Sequence, residues 1–455
     1  RARRRVVVLE AGRIGDGTTG GTSAHLDYHP DEGFDRLARN FGDEQARTMV
    51  EARRTAIDQI ETWCREFEID CDFARVPAWL YTESPGNLKS LDAQCDAARR
   101  LGLECERRDE VPLPFRCAAG VRLGGCGRFH ALNYLRGLAS RIDGDPVTIC
   151  EDTRVLSPPE DGEPCTVETA SGKVRADVVL AATHSAFHGI CSIDMRVAPY
   201  QSYVLAVDVD DAVADALYWD DADPYHYTRR AASGEPNRLI IGGSDHKTGQ
   251  GGDEREPYRA LEQYVRDRYH VRGIPHGWSA ELFEPDDGAP YIGRLPSADH
   301  LYVASGYSGV GLTWGTAAGR LFADLLLGRH NPLAAIVSPS RIKPVAEAPE
   351  FIKENLNVAR RFVMDRFGGE SITSLEEIAA GEGKLVRYTG KLLAVYRDDA
   401  GALHIRQPQC THAGCIVQWN EAERTWDCPC HGGRFAATGE RIYGPPPHDL
   451  ALDQG

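Results

Sequence analysis

The sequence contains no apolar run long enough to cross a membrane as a helix. Its longest apolar runs, such as those at residues 6–9 and 178–182, have the length of a β-strand, whereas a membrane span needs roughly 18–20 apolar residues. It also lacks a basic surplus. The formal net charge of −16 argues against a nucleic-acid partner, because phosphate contacts need a basic surface. We therefore expect no transmembrane segment and no nucleic acid, and composition favours a cytoplasmic location.

A disulfide framework is absent from most of the chain. Of its 13 cysteines, nine are scattered and form no CxxC pair, which is typical of free thiols in a reducing compartment. These nine are Cys64, Cys71, Cys95, Cys105, Cys117, Cys126, Cys150, Cys165 and Cys191. The other four fall within 21 residues near the C-terminus and need a separate explanation.

The first part of the chain alternates strand and helix patterns. Residues 5–12 predict a buried strand that carries Glu10 near its end, and a loop rich in Gly and Thr follows at residues 15–23. Apolar residues at helical spacing predict a helix from residue 42 to 67, with Arg53 as the one interruption of the apolar stripe. A chain of 455 residues is too long for one core, so these elements should belong to one of about two to four units.

Further strands are predicted at residues 176–183 and 239–243. A strand at residues 302–304 then leads into the glycine loop 305–311 and a helix that ends near Leu327. Strands that feed glycine loops at helix starts indicate an α/β nucleotide-binding body.

The composition changes after His330. Prolines punctuate residues 331–370, and residues 350–367 predict one amphipathic helix. Its mixed charges favour docking between the two halves of the chain over contact with a membrane surface. From residue 371 to 455 the pattern is all-β, with a hairpin around the turn at residues 398–401.

The C-terminal cysteines form two short motifs with histidines. Cys410 and His412 are followed, after fifteen residues, by Cys428 and His431. Zinc is the structural alternative, because two thiolates and two imidazoles are also a tetrahedral zinc set. Zinc fingers usually pair their cysteines on one knuckle, whereas here each loop supplies one Cys and one His. A Rieske centre needs that mixture, since its Cys pair holds one iron and its His pair the other.

Residues 371–450 resemble the Rieske family, in the form in which two additional cysteines tie the cluster loops together. The resemblance implies a [2Fe–2S] cluster on Cys410, His412, Cys428 and His431, and a disulfide between Cys415 and Cys430. It also implies that the segment Gly444-Pro445-Pro446-Pro447 covers the cluster. Ring-hydroxylating oxygenases add a mononuclear iron to such a domain. His184 and His188 lack the acidic partner that such an iron needs, so they are interpreted as ordinary loop residues.

One departure from the family pattern predicts the reduction potential. High-potential members place a Ser and a Tyr where this chain has Gly433 and Phe435. Hydroxyl hydrogen bonds to cluster sulfurs stabilise the reduced state. Because neither residue here can donate one, we predict a potential in the lower half of the Rieske range.

The first part of the chain resembles the glycine/D-amino-acid oxidase superfamily of flavoproteins. The resemblance rests on residues 9–23, 178–183, 287–293 and 306–313 as an ordered set. Glu10 stands where dinucleotide-binding folds place the carboxylate that binds a ribose. The GxGxxG loop that normally lies about twenty residues earlier is not in the given sequence. We therefore expect that the given sequence begins just before the second strand of the fold and ends before the closing Rieske strands. Without the first strand and its phosphate loop, a protein of this sequence should bind FAD poorly.

The resemblance implies an FAD-binding Rossmann-like domain at residues 1–330, of class α/β (α+β). An interleaved substrate domain at about 70–130 and 195–280 would lie over the flavin, and the small all-β Rieske domain would follow. The implied FAD-binding residues are Glu10, Ala11, Arg13, Gly17, Thr18, Thr19, Gly21, Thr22, Ser23, Val155, Ala182, Thr183, Gly306, Gly309, Val310, Gly311, Leu312 and Thr313.

The function implied by both resemblances is oxidation of a small amine or amino-acid-like molecule. FAD would take two electrons, and the Rieske cluster would pass them singly to an external acceptor, either a protein or a quinone-like molecule. The alternative is an electron-transfer module that links protein partners and binds no small substrate. The polar residues expected near the flavin ring receive no catalytic role from the sequence; they are His25, Tyr203, Tyr227, His246 and Tyr307.

Overall fold

The structure is a computed structural model that describes residues 4–185, 193, 195–341, 356–358 and 360–453. The helices are α1 Phe34–Phe41, α2 Asp43–Glu66, α3 Leu88–Arg100, α4 Ala131–Ile142, α5 Glu256–Arg268, α6 Gly311–Leu326 and α7 Leu333–Ile336. Short 3₁₀ turns lie at Thr18–Gly21, Pro85–Asn87, Asp365–Phe367 and Leu375–Glu377. None of the described helices is long and apolar enough to cross a membrane.

The strands in the first half of the chain are β1 Val6–Leu9, β2 His25–Leu26, β3 Ala74–Thr82, β4 Cys105–Arg108, β5 Ala119–Arg128, β6 Val147–Cys150, β7 Cys165–Thr169, β8 Gly172–Ala176 and β9 Val179–Ala181. The next group is β10 Val197–Val209, β11 Leu217–Asp220, β12 His226–Ala232, β13 Glu235–Lys247, β14 Val271–Pro285, β15 Tyr291–Arg294 and β16 Leu301–Ser305. The C-terminal strands are β17 Glu370–Ser371, β18 Gly383–Tyr388, β19 Lys391–Arg397, β20 Leu403–Arg406, β21 Gln418–Asn420, β22 Thr425–Asp427, β23 Arg434–Ala436 and β24 Arg441–Tyr443.

The nucleotide-binding body contains two separate small sheets. Strand β1 pairs in parallel with β6, and a second sheet has the order β15-β16-β9. The prediction that β1 is buried is wrong: its valines are 40–48% exposed, because β6 is its one neighbour among the described strands. Strand β9 is also shorter than predicted, and Leu180 within it is 41% exposed.

Helices α2 and α6 form the core of this body. The predicted helix at 42–67 is confirmed as α2, and the predicted helix after the glycine loop is confirmed as α6. Apolar residues of both helices, such as Ile57 and Leu321, lie in one buried cluster. Arg53, which interrupts the apolar stripe of α2, is also buried, with a side chain that is 3% exposed.

A nine-stranded sheet forms the second layer of the molecule. Its strand order is β14-β10-β13-β12-β11-β3-β5-β2, and β4 pairs with β5 at one side. The long strands β10, β13 and β14 are antiparallel neighbours, and α5 packs against them. Two distant parts of the chain, β3–β5 and β10–β14, therefore build one continuous surface.

The C-terminal domain consists of two four-stranded sheets, β17-β18-β19-β20 and β21-β22-β23-β24. The predicted hairpin is confirmed as β19 and β20. Trp426 and Phe435 are fully buried between the sheets.

The linker contacts both halves of the molecule. Residues 356–358 and 360–364 are helical, and the remainder of the predicted helix, 350–355 and 359, lies outside the described residues. The Asn357 amide donates to Gln250 Oε1 at 3.0 Å, and Val358 packs against the core of the C-terminal domain. These contacts agree with a docking role for this segment.

The eight scattered cysteines that the structure describes are free thiols, as predicted. Two pairs of them are close: the Cys64 and Cys71 sulfurs lie 3.4 Å apart and the Cys95 and Cys105 sulfurs 3.0 Å apart. Cys191 and His188 lie outside the described residues.

Candidate functional site

The predicted cluster ligands lie on two loops that face each other. Cys410 and His412 lie between β20 and β21, and Cys428 and His431 lie between β22 and β23. Cys410 and Cys428 are 3% and 2% exposed, and the two histidine rings are 4.8 Å apart between centroids. The structure therefore brings two thiols and two imidazoles to one largely buried position.

Backbone N–H groups donate to the sulfurs of the two predicted cysteine ligands, Cys410 and Cys428. The pKa of the Cys428 thiol is lowered to about 7 by its hydrogen bond with Cys410, and the N–H groups of Cys430 and His431 lower it further. The Cys410 sulfur accepts from the N–H groups of His412 and Ala413. Donors aimed at sulfur stabilise thiolates that carry iron. These residues thus fit a [2Fe–2S] cluster.

A disulfide ties the two loops together, as the Rieske resemblance implied. Cys415 on the first loop is bonded to Cys430 on the second, fifteen residues later. Pro446 covers Gly433 on the same side: a Cβ at position 433 would lie 2.4 Å from Pro446 Cγ and 3.4 Å from Cys410 Sγ. Position 433 therefore borders a ligand sulfur but has no space for a side chain.

The residues predicted to bind adenosine meet at the end of β1. The Gly12 N–H donates to Glu10 Oε1 at 3.0 Å, and the Thr153 N–H donates to the Glu10 carbonyl at 2.8 Å. Val155 follows two residues later and is bridged to Thr169. Glu10 and Val155 come from segments far apart in the sequence, and β6 places both at one end of the body.

The Gly/Thr loop runs from this point to the large sheet. The indole N–H of Trp278 on β14 donates to the Gly21 carbonyl at 2.8 Å. A Cβ at Gly20 would lie 2.3 Å from the Gly15 carbonyl oxygen, so the loop closes on itself only without a side chain there. Residues 13–23 thus form a compact backbone surface, which suits the close approach of a cofactor.

The glycine loop before α6 borders a cavity. Gly306 has a φ of +74°, and the Gly309 N–H donates to Asp31 Oδ2 at 2.7 Å. Gly306, Asp31 and Arg53 are among the residues that line this cavity. The free N–H groups in the first turn of a helix favour negative charge. The start of α6 therefore fits the carbonyl side of a flavin ring, where charge accumulates on reduction.

A row of aromatic rings begins beside this glycine loop, where a Cβ at Gly309 would lie 3.5 Å from the Tyr225 hydroxyl. The His25 ring lies 5.3 Å from Trp219 and 5.4 Å from Tyr227, and Tyr227 lies 6.1 Å from Tyr225. Burial lowers the pKa of His25 to about 3, with the charge of Arg229 adding to the effect. His25 is therefore a neutral ring near neutral pH.

Comparison with known proteins now decides the family. Residues 1–325 match the family described as FAD dependent oxidoreductase, and residues 371–452 match the Rieske [2Fe-2S] domain. The chain belongs to the FAD dependent oxidoreductase family. It is an oxidoreductase of the amine and amino-acid oxidase type, its cofactors are FAD and a [2Fe–2S] cluster, and its fold joins a mixed α/β FAD domain to a β-rich Rieske domain.

Individual relatives match nearly all of this chain or about three quarters of it. YhfW of Bacillus subtilis, which is named a Rieske 2Fe-2S iron-sulfur protein, is 31% identical over 443 residues, or 97% of this chain and 87% of that one. The gamma-glutamylputrescine oxidoreductase of Escherichia coli is 26% identical over 71% of this chain and 78% of its own length. Glycine oxidase from Geobacillus kaustophilus has a TM-score of 0.60 at 18% identity, over 75% of this chain and 93% of that one, which establishes a shared fold.

Not all polar residues predicted near the flavin lie in the FAD domain's cavity. Tyr203 is fully buried, its hydroxyl lies 2.8 Å from His246 Nε2 and 2.7 Å from Glu254 Oε2, and its ring packs on Tyr258 of α5. Tyr203 and His246 therefore contact each other on the side of the sheet that α5 covers, and their expected place near the flavin ring stays a prediction. The ring of Tyr307 lies against Gly311 in the first turn of α6.

Arg53 supports the segment 305–313 before and at the start of α6, which we call the flavin loop, and the sequence did not assign it this role. Its guanidinium pairs with Asp27 Oδ1 at 3.0 Å and donates to Thr313 Oγ1 at 3.2 Å. It also donates to the backbone carbonyls of Asp27 and His29. The break that Arg53 makes in the apolar stripe of α2 was the available sequence signal.

The Rieske domain docks on the large sheet through the second cluster loop. The Gln250 amide donates to the Pro429 carbonyl at 2.9 Å, and a Cβ on Gly432 would lie 2.2 Å from Glu281 Oε1. Glu281 is 1% exposed, and burial raises its pKa well above its usual range. Single acidic residues such as Glu281 carry no sequence signal that separates them from surface acids.

Proposed function

We propose that this enzyme acts as a dehydrogenase: it oxidises an amine or amino-acid-like molecule at FAD and delivers the electrons through the Rieske cluster to an external acceptor. The acceptor would be a protein or a quinone-like molecule. The docking of the cluster loop on the sheet beside the flavin loop is the observation that carries the proposal. The names of two relatives, a gamma-glutamylputrescine oxidoreductase and a glycine oxidase, agree with an amine as substrate.

Four residues are proposed to hold the cluster, Cys410 and Cys428 on one iron and His412 and His431 on the other. The FAD-binding residues are proposed to be Glu10, Ala11, Arg13, Gly17, Thr18, Thr19, Gly21, Thr22, Ser23, Val155, Ala182, Thr183, Gly306, Gly309, Val310, Gly311, Leu312 and Thr313. Cys415 and Cys430 hold the cluster loops together and bind no iron.

Bound FAD supplies a two-electron acceptor, so the substrate would lose a hydride from the carbon beside its nitrogen and a proton from the nitrogen. Water would hydrolyse the resulting imine to a carbonyl compound, with release of ammonia from a primary amine or of an amine from a secondary one. The chain's part is to bind the substrate with an unprotonated reacting nitrogen and to hold its C–H bond in place. No residue is assigned as a general base.

Short contacts support a direct path for the electrons. The Ser308 N–H of the flavin loop donates to the Phe283 carbonyl of β14 at 3.0 Å. Two residues earlier on β14, Glu281 lies against Gly432, the neighbour of His431. The flavin loop and the cluster loop are therefore proposed to be connected through one strand.

Anaerobic stopped-flow mixing of the holoenzyme with a panel of amines tests this function. We expect the flavin absorbance to bleach first and the oxidised-cluster absorbance to decrease afterwards. The second step should be first order and independent of protein concentration, because donor and acceptor are docked in one chain. Bleaching by reduced pyridine nucleotide or a protein donor, but by no amine, would contradict the proposal and favour an electron-transfer module.

A further inference from the structure

Three carboxyl groups meet at the flavin loop. Asp31 accepts from the Gly309 N–H, and Glu284 lies next to Phe283, the residue that binds Ser308 of the same loop. Burial raises the pKa of Glu284 to about 8, and Asp31 and Asp245 raise it further. Burial also raises the pKa of Asp245 to about 6, and Asp31 contributes to that shift. The three groups are therefore close enough to repel one another when ionised.

One of these carboxyls, Asp245, lacks the partners that buried acids usually have. Both oxygens of Asp245 are buried and make no hydrogen bond of normal geometry with any described residue. The nearest hydroxyls, on Ser202 and Tyr225, lower its pKa, but Ser202 is engaged with the Tyr227 hydroxyl at 3.1 Å. Buried charges are normally paired or bind a ligand. Asp245 thus indicates a missing cationic partner.

The cationic side chains nearby are already engaged. Arg53 lines the cavity, but its guanidinium is held by Asp27, Thr313 and the His29 carbonyl. Arg36 pairs with Glu32 at 3.0 Å. His246, which also faces Asp245, is bound to Glu254 and Tyr203. A substrate carboxylate would therefore meet three acids and no uncommitted guanidinium among these residues.

The row of aromatic rings completes a surface suited to an organic cation. A Cβ at Gly309 would lie 3.5 Å from the Tyr225 hydroxyl and 3.4 Å from Asp31 Oδ2, so the row of aromatic rings and the carboxyls meet at the flavin loop. From Tyr225 the rings continue through Tyr227 and His25 to Trp219. Ammonium groups are attracted by the faces of Trp and Tyr and by carboxylates. Asp31 lines the cavity, and the row of aromatic rings begins beside it at Tyr225.

We propose that Asp31, Asp245 and Glu284, together with Tyr225 and Trp219, bind a second, positively charged group of the substrate, so that the preferred substrate is a diamine-type cation rather than an amino acid. The inference rests on the proposed function, since it assumes that a small amine enters the flavin cavity. The reacting nitrogen would be the neutral one, and the distant ammonium would bind to the carboxyls.

Three probes of equal chain length but different tail charge test the inference. Isothermal titration calorimetry with the holoenzyme would compare 1,4-diaminobutane, n-butylamine and 4-aminobutyrate, whose tails are cationic, neutral and anionic. We expect the diamine to bind at least roughly tenfold more tightly than n-butylamine, and 4-aminobutyrate to bind most weakly. Equal affinities, or a preference for 4-aminobutyrate, would overturn the inference.

Variants of Asp245 and Glu284 test whether these carboxyls cause the preference for the diamine. Asp245→Asn and Glu284→Gln should each raise the Kd of the diamine severalfold and leave that of n-butylamine unchanged. Asp208→Asn is the matched control, because Asp208 lies on β10 and pairs with Arg238 on the neighbouring strand. An equal loss of affinity for all three probes in either variant would contradict the assignment. The comparison of probes on the unmodified enzyme stays decisive even if a variant fails to fold.

Binding and oxidation are measured separately, so the two proposals can fail independently. Tight, charge-selective binding of the diamine without flavin bleaching would refute the proposed oxidation and support the cation site. Bleaching by amines of every tail charge, with equal Kd values, would support the proposed function and refute the cation site.

Discussion

At the scale of single residues, buried charges determine how the flavin cavity is built. Arg53 and Asp27 are 3% and 2% exposed and form an ion pair. Burial raises the pKa of Asp27 to about 6, and the charge of Arg53 opposes that shift. Removing one partner of such a pair leaves an uncompensated buried charge, which destabilises a protein more than the loss of an exposed pair.

We therefore predict that Arg53→Met lowers the free energy of unfolding by about 3–5 kcal/mol. Arg54→Met is the matched control, since the neighbouring Arg54 side chain is 45% exposed and pairs with exposed Glu51. The control should change stability by less than about 0.5 kcal/mol. Chemical denaturation measures both variants, and an equal loss in the two would show that burial of Arg53 is not the cause.

A second prediction concerns Gly433, which lies next to Cys410 Sγ. Gly433→Ser would bring a hydroxyl close to this sulfur, but Pro446 must first be displaced. In a Pro446→Ala background, Gly433→Ser should raise the cluster midpoint potential by tens of millivolts above Gly433→Ala, because a hydrogen bond to sulfur stabilises the reduced state. Phe435→Tyr should act in the same direction relative to the parent chain. Protein-film voltammetry that gave equal midpoints for the Ser and Ala variants would contradict this account.

At the scale of elements, the disulfide holds together two loops that the sheets position only at their ends. Each cluster loop connects strands of three or four residues. Such short strands make few hydrogen bonds with their neighbours and therefore restrain the loops little. The bond between Cys415 and Cys430 closes a loop with a sequence separation of 15. Cross-links of this length contribute about 3 kcal/mol through the unfolded chain.

The double variant Cys415→Ala/Cys430→Ala should accordingly lose about 3 kcal/mol of Rieske-domain stability and release iron sooner on heating. Cys117→Ala serves as the control, because Cys117 is a half-buried free thiol. Loss of the cluster absorbance during thermal unfolding measures the effect. If the double variant and the control kept their clusters equally long, the disulfide would have no stabilising role.

At the scale of the whole molecule, the acids of the flavin cavity couple stability to pH. The folded-state pKa of Glu284, about 8 because of burial, exceeds the value near 4.5 that an unfolded chain would have. The folded protein therefore holds more protons than the unfolded chain between these values, and its stability falls as the pH rises through that window. Buried His25 and His29 have pKa values lowered to about 3. Their contribution makes stability rise with pH below about pH 6.5, and it is constant above that value.

We predict that the difference in unfolding free energy between the parent protein and Glu284→Gln changes by about 1–2 kcal/mol between pH 6.5 and pH 8. The parent should lose stability across this interval, and the variant should lose less because Gln does not titrate. Glu281 contributes in the same direction in both proteins, so it cancels in the comparison. Parallel stability curves for the two proteins would contradict the assignment to Glu284.

The sequence by itself determined the features that depend on local spacing. The proposed cluster ligands, the disulfide cysteines and the flavin loop lie within short motifs, so the distance along the chain limits the distance in space. The apolar periodicity of α2 was sufficient to predict this helix, because helical spacing is also a local property of the sequence. The exposed valines of β1 could not be predicted, because a strand's burial depends on its neighbours in the sheet.

Only the tertiary structure decided which distant residues meet. Asp31 precedes α1, Asp245 lies in β13 and Glu284 in β14, and each is one acid among the 68 of the chain. Their meeting at the flavin loop, and the contact of Glu281 with Gly432, follow from strand register and domain docking. A one-residue shift of register moves every side chain of a strand to the other face of the sheet, so no local pattern could have assigned these acids to the flavin loop.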